Sequence, residues 1–157
     1  MSNKDEKPGR TVEIRLVREW DAQEILALYH EADWWRDEYD PAQIPVLIRD
    51  SFAFGVAVDS VSGRAVGMGR VLSDGISDAY IQDLVVRKEC RKTGVGRSLL
   101  ASLLSYCMER GVTWIALIAQ PGTENFYTPS GFIRMEGYVP MIYHSAERKE
   151  TDDAHKT

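Results

Sequence analysis

The sequence is poor in the side chains that carry metal and redox chemistry. Two cysteines, Cys90 and Cys107, and three histidines, His30, His144 and His155, are all that it offers in 157 residues. Their positions lack the close paired spacing of a zinc ligand set or a disulfide framework, so no metal is expected. Cys107 lies on the apolar side of a helical pattern and reads as a buried thiol. Long apolar runs are also missing. No stretch approaches the ~20 residues of a membrane span, and Met1 to Arg10 is too polar for a secretory signal. The expectation is a cytoplasmic protein with no membrane partner. Excess positive charge is absent too. Lys and Arg number 19 against 24 Asp and Glu, a net charge of −5. A nucleic-acid partner, which needs a basic surface, is therefore not expected.

What is present suits one globular domain, with 44% hydrophobic and 27% charged residues. Residues 1–10 and 145–157 read as polar tails around a single domain over 11–144. Thr11 to Val17 alternates as a half-buried strand. Asp21 and Glu24 form a capping-box pattern before a helix carrying Ile25, Leu26, Leu28 and Tyr29. Ala42 to Asp50 reads as a second helix, with Pro41 in its first turn and Pro45 as a complication. Phe52 to Val58 and Ala65 to Leu72 form a hairpin across Asp59 to Arg64. A strand over Tyr80 to Val86 follows.

The next helix has the clearest periodicity. Val95, Leu99, Leu103 and Cys107 form one row, Leu100, Leu104 and Met108 the next, and Gly111 ends them. Trp114 to Ala119 reads as a buried strand parallel to the one before the helix. A short helix from Thr123 to Tyr127 and terminal strand material from Phe132 to Tyr143 complete the chain. The predicted order is β-α-α-β-β-β-α-β-α-β, a mixed α/β (α+β) fold with a central sheet flanked by helices.

Between the apolar strand and the periodic helix lies Arg91-Lys92-Thr93-Gly94-Val95-Gly96-Arg97. Glycines at a strand-to-helix turn let backbone amides approach an anion at the positive end of the helix dipole. Arg91, Lys92 and Arg97 add full charges. The loop lacks the Gly-Lys-Ser/Thr ending of a triphosphate-binding loop, and Leu99 stands where a dinucleotide fingerprint would place its third glycine.

Arg91 to Gly96 resembles the Arg/Gln-x-x-Gly-x-Gly/Ala loop of the GNAT acyltransferases, and Phe126-Tyr127-Thr128-Pro129-Ser130-Gly131-Phe132 resembles their Phe-Tyr-x-x-x-Gly-Phe segment. The resemblance implies an acetyl-coenzyme A-dependent N-acyltransferase that works by direct transfer to an amine. It places the pyrophosphate on the amides of Lys92, Thr93, Gly94, Val95 and Gly96 and on the helix start at Arg97 and Ser98. It pairs the pantetheine arm with Leu84, Val85 and Val86. Tyr127 matches the family tyrosine that protonates the departing thiolate, although a tyrosine there also reads as a core aromatic. A family asparagine corresponds to Gln120, with Asn125 as a nearby substitute.

The general base is less plain. Family positions for it fall on Tyr80 and Gln82, neither of which is a good base. Asp83 is the nearest carboxylate, but alternation turns it to the other face unless a bulge intervenes. Its alternative is a paired carboxylate supporting the sheet, and Asp78 is a second candidate. The acceptor site is expected around Asp33 to Asp40, where Trp34, Trp35 and Tyr39 stand among four acids. Aromatic faces and carboxylates suit an amine cation; the rival reading packs the tryptophans on the core. Tyr80 and Gln82 are placed with Trp34 and Trp35 as acceptor-binding residues. A small primary amine, a polyamine or an arylalkylamine, is the expected acceptor. A protein lysine or N-terminus, and a coenzyme A sensor without catalysis, are alternatives. The apolar run Tyr138 to Tyr143 leaves a homodimer open.

Overall fold

A computed structural model describes residues 11–144. The two predicted tails, 1–10 and 145–157, lie outside the described residues. Five strands form one sheet in the order β1 (Val12–Leu16), β2 (Ala53–Asp59), β3 (Ala65–Leu72), β4 (Asp78–Val86), β5 (Trp114–Ala116). The first four are antiparallel neighbours, and β5 is parallel to β4. The crossover between those two is α3 (Val95–Met108), the strand–helix–strand unit that the periodicity predicts. α1 (Ala22–Glu31) and α2 (Ile44–Asp50) cover the opposite face, and α4 (Glu124–Tyr127) follows β5.

Burial on both faces explains the apolar run of β2, in which all seven residues are buried. Phe54, Val56 and Val58 pack with Ile25, Leu28, Ile44 and Ile48 from α1 and α2. On the other side, Leu99 and Leu103 of α3 lie over glycines, and a Cβ on Gly67 would come within 2.9 Å of the Val85 carbonyl oxygen. Glycine there lets the helix and the strands approach closely.

The helix starts follow their caps. Asp21 accepts hydrogen bonds from the Gln23 and Glu24 amides at 2.8 and 3.2 Å. Glu24 does not close the expected capping box. Its carboxylate instead accepts from Trp20 Nε1 and the Ala65 amide, both at 2.9 Å, which joins α1 to β3. Pro41 opens a 3-10 turn, and Pro45 falls in the first turn of α2, where its missing N–H costs nothing.

Two expectations fail at the C-terminal end. β5 is a three-residue edge strand, not a buried strand through Ala119; Trp114 and Ile118 are 53% and 61% exposed. Phe132 to Tyr143 contains no strand. Gly137 takes a left-handed conformation, and the Tyr138 amide donates to the Met135 carbonyl, so a turn interrupts the run. Pro140 lacks a ladder donor besides. The strand through which a homodimer was expected to pair is therefore not formed in this segment. Among the described residues no helix is long and apolar enough to cross a membrane.

Candidate active site

The site begins where the sheet opens. β4 and β5 pair only from Asp78↔Trp114 to Tyr80↔Ala116, whereas β4 continues to Val86. Beyond Tyr80 its β5-side edge has no strand partner among the described residues, and Leu84, Val85 and Val86 lie at the wide end of that gap. Arg91 folds back there, its Nε donating to the Val86 carbonyl at 2.9 Å.

The loop then exposes its amides. Lys92 and Gly94 adopt φ of 61° and 89°, and Gly94 is the N-cap of α3. Successive left-handed and right-handed residues turn neighbouring N–H groups to one side. No described residue accepts a hydrogen bond from the amides of Lys92, Thr93, Gly94, Val95, Gly96 or Arg97. The Thr93 hydroxyl is used locally, on the Cys90 carbonyl at 2.6 Å. Ser98 is at the first turn, its amide bonded to the Gly94 carbonyl at 3.0 Å. Lys92 and Arg97 form no ion pair among the described residues. Unpartnered amides, a helix start and free cations together fit the pyrophosphate of acetyl-coenzyme A. Gly96 has a different reason to be glycine: a Cβ would meet Phe126 Cζ at 3.2 Å, so α3 starts directly against α4.

Tyr127 stands edge-on between Phe126 at 4.9 Å and Phe132 at 5.9 Å. Burial pushes its hydroxyl above the ordinary tyrosine value, and no described residue bonds that hydroxyl. The ring packs against the core beneath α3, as the core reading expects, and its hydroxyl stays protonated with no bond to a described residue. Gln120 and Asn125 are exposed. The Gln120 carbonyl accepts from the Thr123 amide and hydroxyl, while neither side-chain amide bonds a described residue.

Asp83 is turned by a bulge. Register passes from Met68↔Val85 to Arg70↔Gln82, and Asp83 takes φ 55°. One residue of β3 thus opposes two of β4, and alternation is broken at the residue in doubt. Asp83 Oδ2 accepts from Arg70 Nε at 2.6 Å and from Tyr29 Oη at 2.8 Å. Arg70 Nη2 also donates to Gln82 Oε1 at 3.1 Å. Burial, and then the adjacent Asp83 charge, raises Tyr29 far above its usual value and keeps it a donor. Tyr29 and Arg70 were not singled out in the sequence. Tyr29 sits at an apolar helical position, and Arg70 carried one signal, the lone charge in an otherwise apolar strand.

These groups floor a cavity of about 490 Å³. Trp34, Trp35 and Tyr39 wall it, and Glu38 and Asp40 add acids. Trp35 lies tilted at 53° against Tyr29, centroids 5.9 Å apart, and meets Tyr39 edge-on at 5.6 Å. Both tryptophans also pack on the core, as the rival reading of that segment expects. Tyr80 and Gln82 do not line the cavity. Gln82 steadies Arg70, and Tyr80 is raised first by burial and hydrogen-bonded by the Ile118 backbone. The bulge explains the difference, since it puts Asp83 where regular alternation would have put its neighbours. Asp78 is exposed at the start of β4 and does not line the cavity either. No metal-binding group of three or more ligands occurs among the described residues.

The family model for the acetyltransferase (GNAT) domain matches residues 38–139, well over half of the chain. The protein belongs to the GNAT acetyltransferases. Serotonin N-acetyltransferase 2, chloroplastic, of Oryza sativa subsp. japonica is 36% identical over 76 residues, 48% of this chain and 38% of that protein. GCN5-related N-acetyltransferase 1, chloroplastic, of Arabidopsis thaliana is 28% identical over 112 residues, 71% of this chain and 57% of that protein. The chain thus spans less than two thirds of these relatives. A GNAT family acetyltransferase from Streptococcus pneumoniae superposes with a TM-score of 0.73 at 24% identity, covering 87% of this chain and 99% of the other. AAC(6')-Iy, in complex with the bisubstrate analogue CoA-S-monomethyl-acetylneamine, superposes at 0.67 and 17% identity, with 86% and 99% covered. The GNAT fold and N-acetyltransferase family follow from these matches, and acetyl-coenzyme A is the family's acyl donor.

Proposed function

We propose that this GNAT acetyltransferase moves the acetyl group of acetyl-coenzyme A onto a small arylalkylamine held in the cavity over Asp83. The observation that carries this reading is the lining itself, aromatic walls over a carboxylate floor in a space of about 490 Å³. A flat ring packs against Trp34, Trp35 and Tyr39, and the ammonium is drawn to the acids. The rice relative is named a serotonin N-acetyltransferase, and serotonin is an arylalkylamine, which supports the same reading. A polyamine or a protein amine would leave the aromatic wall largely unused.

Acetyl-coenzyme A supplies an activated acetyl thioester. Lys92, Arg97 and the loop amides hold the pyrophosphate, the free edge of β4 holds the pantetheine arm, and Gln120 or Asn125 adds an amide contact. Asp83 takes one proton from the incoming ammonium, leaving a neutral amine able to attack the carbonyl, and passes that proton to water. Tyr127 gives its hydroxyl proton to the sulfur as the C–S bond breaks. The second proton lost by the nitrogen then replaces it. No residue becomes acylated. A non-catalytic sensor would need no proton acceptor, and Asp83 at the cavity floor weighs against that alternative. The test is release of free thiol across a panel of arylalkylamines, polyamines and lysine peptides. Turnover with arylalkylamines alone is expected, and turnover confined to peptides would reject the reading.

A further inference from the structure

We infer that Tyr29 and Arg70 are positioning residues of the transfer reaction, which hold the Asp83 carboxylate so that its second oxygen faces the acceptor amine. The inference rests on the proposed role of Asp83. Both donors bind the same oxygen, Oδ2, at 2.8 and 2.6 Å, from elements on two sides, α1 and β3. No described residue donates to Oδ1. Two bonds to one oxygen fix the plane of the carboxylate as well as its place. Arg70 is itself held by Gln82 at 3.1 Å, and Tyr29 by its tilted ring contact with Trp35.

A support for the fold alone explains this less well. The Arg70 and Asp83 side chains are 17% and 23% exposed and line the cavity, so the pair is partly desolvated, a costly arrangement for stability. Asp83 also holds a left-handed backbone conformation without being glycine. Strain and desolvation at one residue facing a substrate-sized space mark a site arranged for orientation.

The experiment is a double-mutant cycle with an accepted arylalkylamine. Tyr29→Phe and Arg70→Lys are expected to lower kcat about 10-fold while the KM of the amine and of acetyl-coenzyme A each change less than about 3-fold, since misorientation affects the reacting geometry and not the aromatic wall. Arg70→Gln should lose more, and Arg70→Lys should recover part of that loss. In an Asp83→Asn background, where Asn tolerates the left-handed conformation, the same changes should lower kcat no further. Undiminished losses in that background would overturn the inference and make the two residues supports of the fold. An Asp83→Asn enzyme with normal kcat would instead overturn the role of Asp83 on which it rests. If Arg70→Gln does not fold, Tyr29→Phe, which removes one oxygen, carries the cycle alone.

Discussion

The two faces of β4 are built from different materials. On the donor side, the loop from Arg91 to Gly96 offers backbone amides that local sequence alone arranges, within one turn of one helix. On the side proposed for the acceptor, the floor of the cavity joins Tyr29, Arg70 and Asp83, the outer two 54 residues apart in sequence. A backbone site tolerates side-chain change as long as its glycines remain. A side-chain site can be retuned one residue at a time, so donor binding and acceptor choice should separate under mutation.

Four predictions test that separation. Tyr127→Phe, which removes the proposed acid, should cut kcat by about 100-fold or more with acetyl-coenzyme A affinity unchanged by calorimetry; an unchanged kcat removes its acid role. Lys92→Ala with Arg97→Ala should raise the KM of acetyl-coenzyme A by more than about 10-fold, given that each lost charged contact costs about 1.5–3 kcal/mol, and leave the KM of the amine alone. A parallel rise in both constants would erase the contrast. Trp35→Ala should do the converse, raising the KM of the amine by roughly 10-fold through lost aromatic contact. Asp21→Ala, remote from both, should lower stability by about 1 kcal/mol in denaturant unfolding through the lost helix cap, with steady-state constants intact.

The pH dependence sharpens the role of Tyr127 further. Its hydroxyl is raised above the usual value of 10.0 by burial, so the protonated form that donates is retained through pH 9. A fall in kcat below pH 9 that disappears in Tyr127→Phe would contradict the assignment. For stability the sign is the same: the neutral form is favoured in the folded chain, so this contribution is present below pH 10 and lost as pH rises through the raised value.

Much of the donor side was legible in the sequence because its signals are local. The rows from Val95 to Met108, the glycines at Gly94 and Gly96, and the Phe126-Tyr127 segment each act within a few residues. The acceptor side was legible only as composition, Trp34, Trp35 and their acids. The bulge at Asp83 left no trace in Gln82-Asp83-Leu84, where no glycine announces a left-handed residue. Its geometry involves the partner strand β3, where the register shifts between Met68 and Arg70 and a Cβ on Gly69 would come within 2.7 Å of Leu84 Cδ1. Tyr29 and Arg70 looked ordinary for a similar reason, since each acquires its role only when two elements meet. The terminal apolar run misled in the opposite direction: hydrophobicity from Phe132 to Tyr143 read as a strand, but a strand needs an unbroken donor row as well as apolar side chains.

Glu24 links, from a distance, the two elements that carry Tyr29 and Arg70. Its carboxylate ties the first turn of α1 to the first residue of β3 through the Ala65 amide. Farther along the same helix stands Tyr29, and farther along the same strand stands Arg70, which meet again on Asp83. Helix and strand are thus pinned to each other at both ends of one span, a closed truss in place of two independent arms. A loosened pin at Glu24 would let both donors drift together, and the enzyme would lose its aim on the amine without any atom of the cavity being replaced.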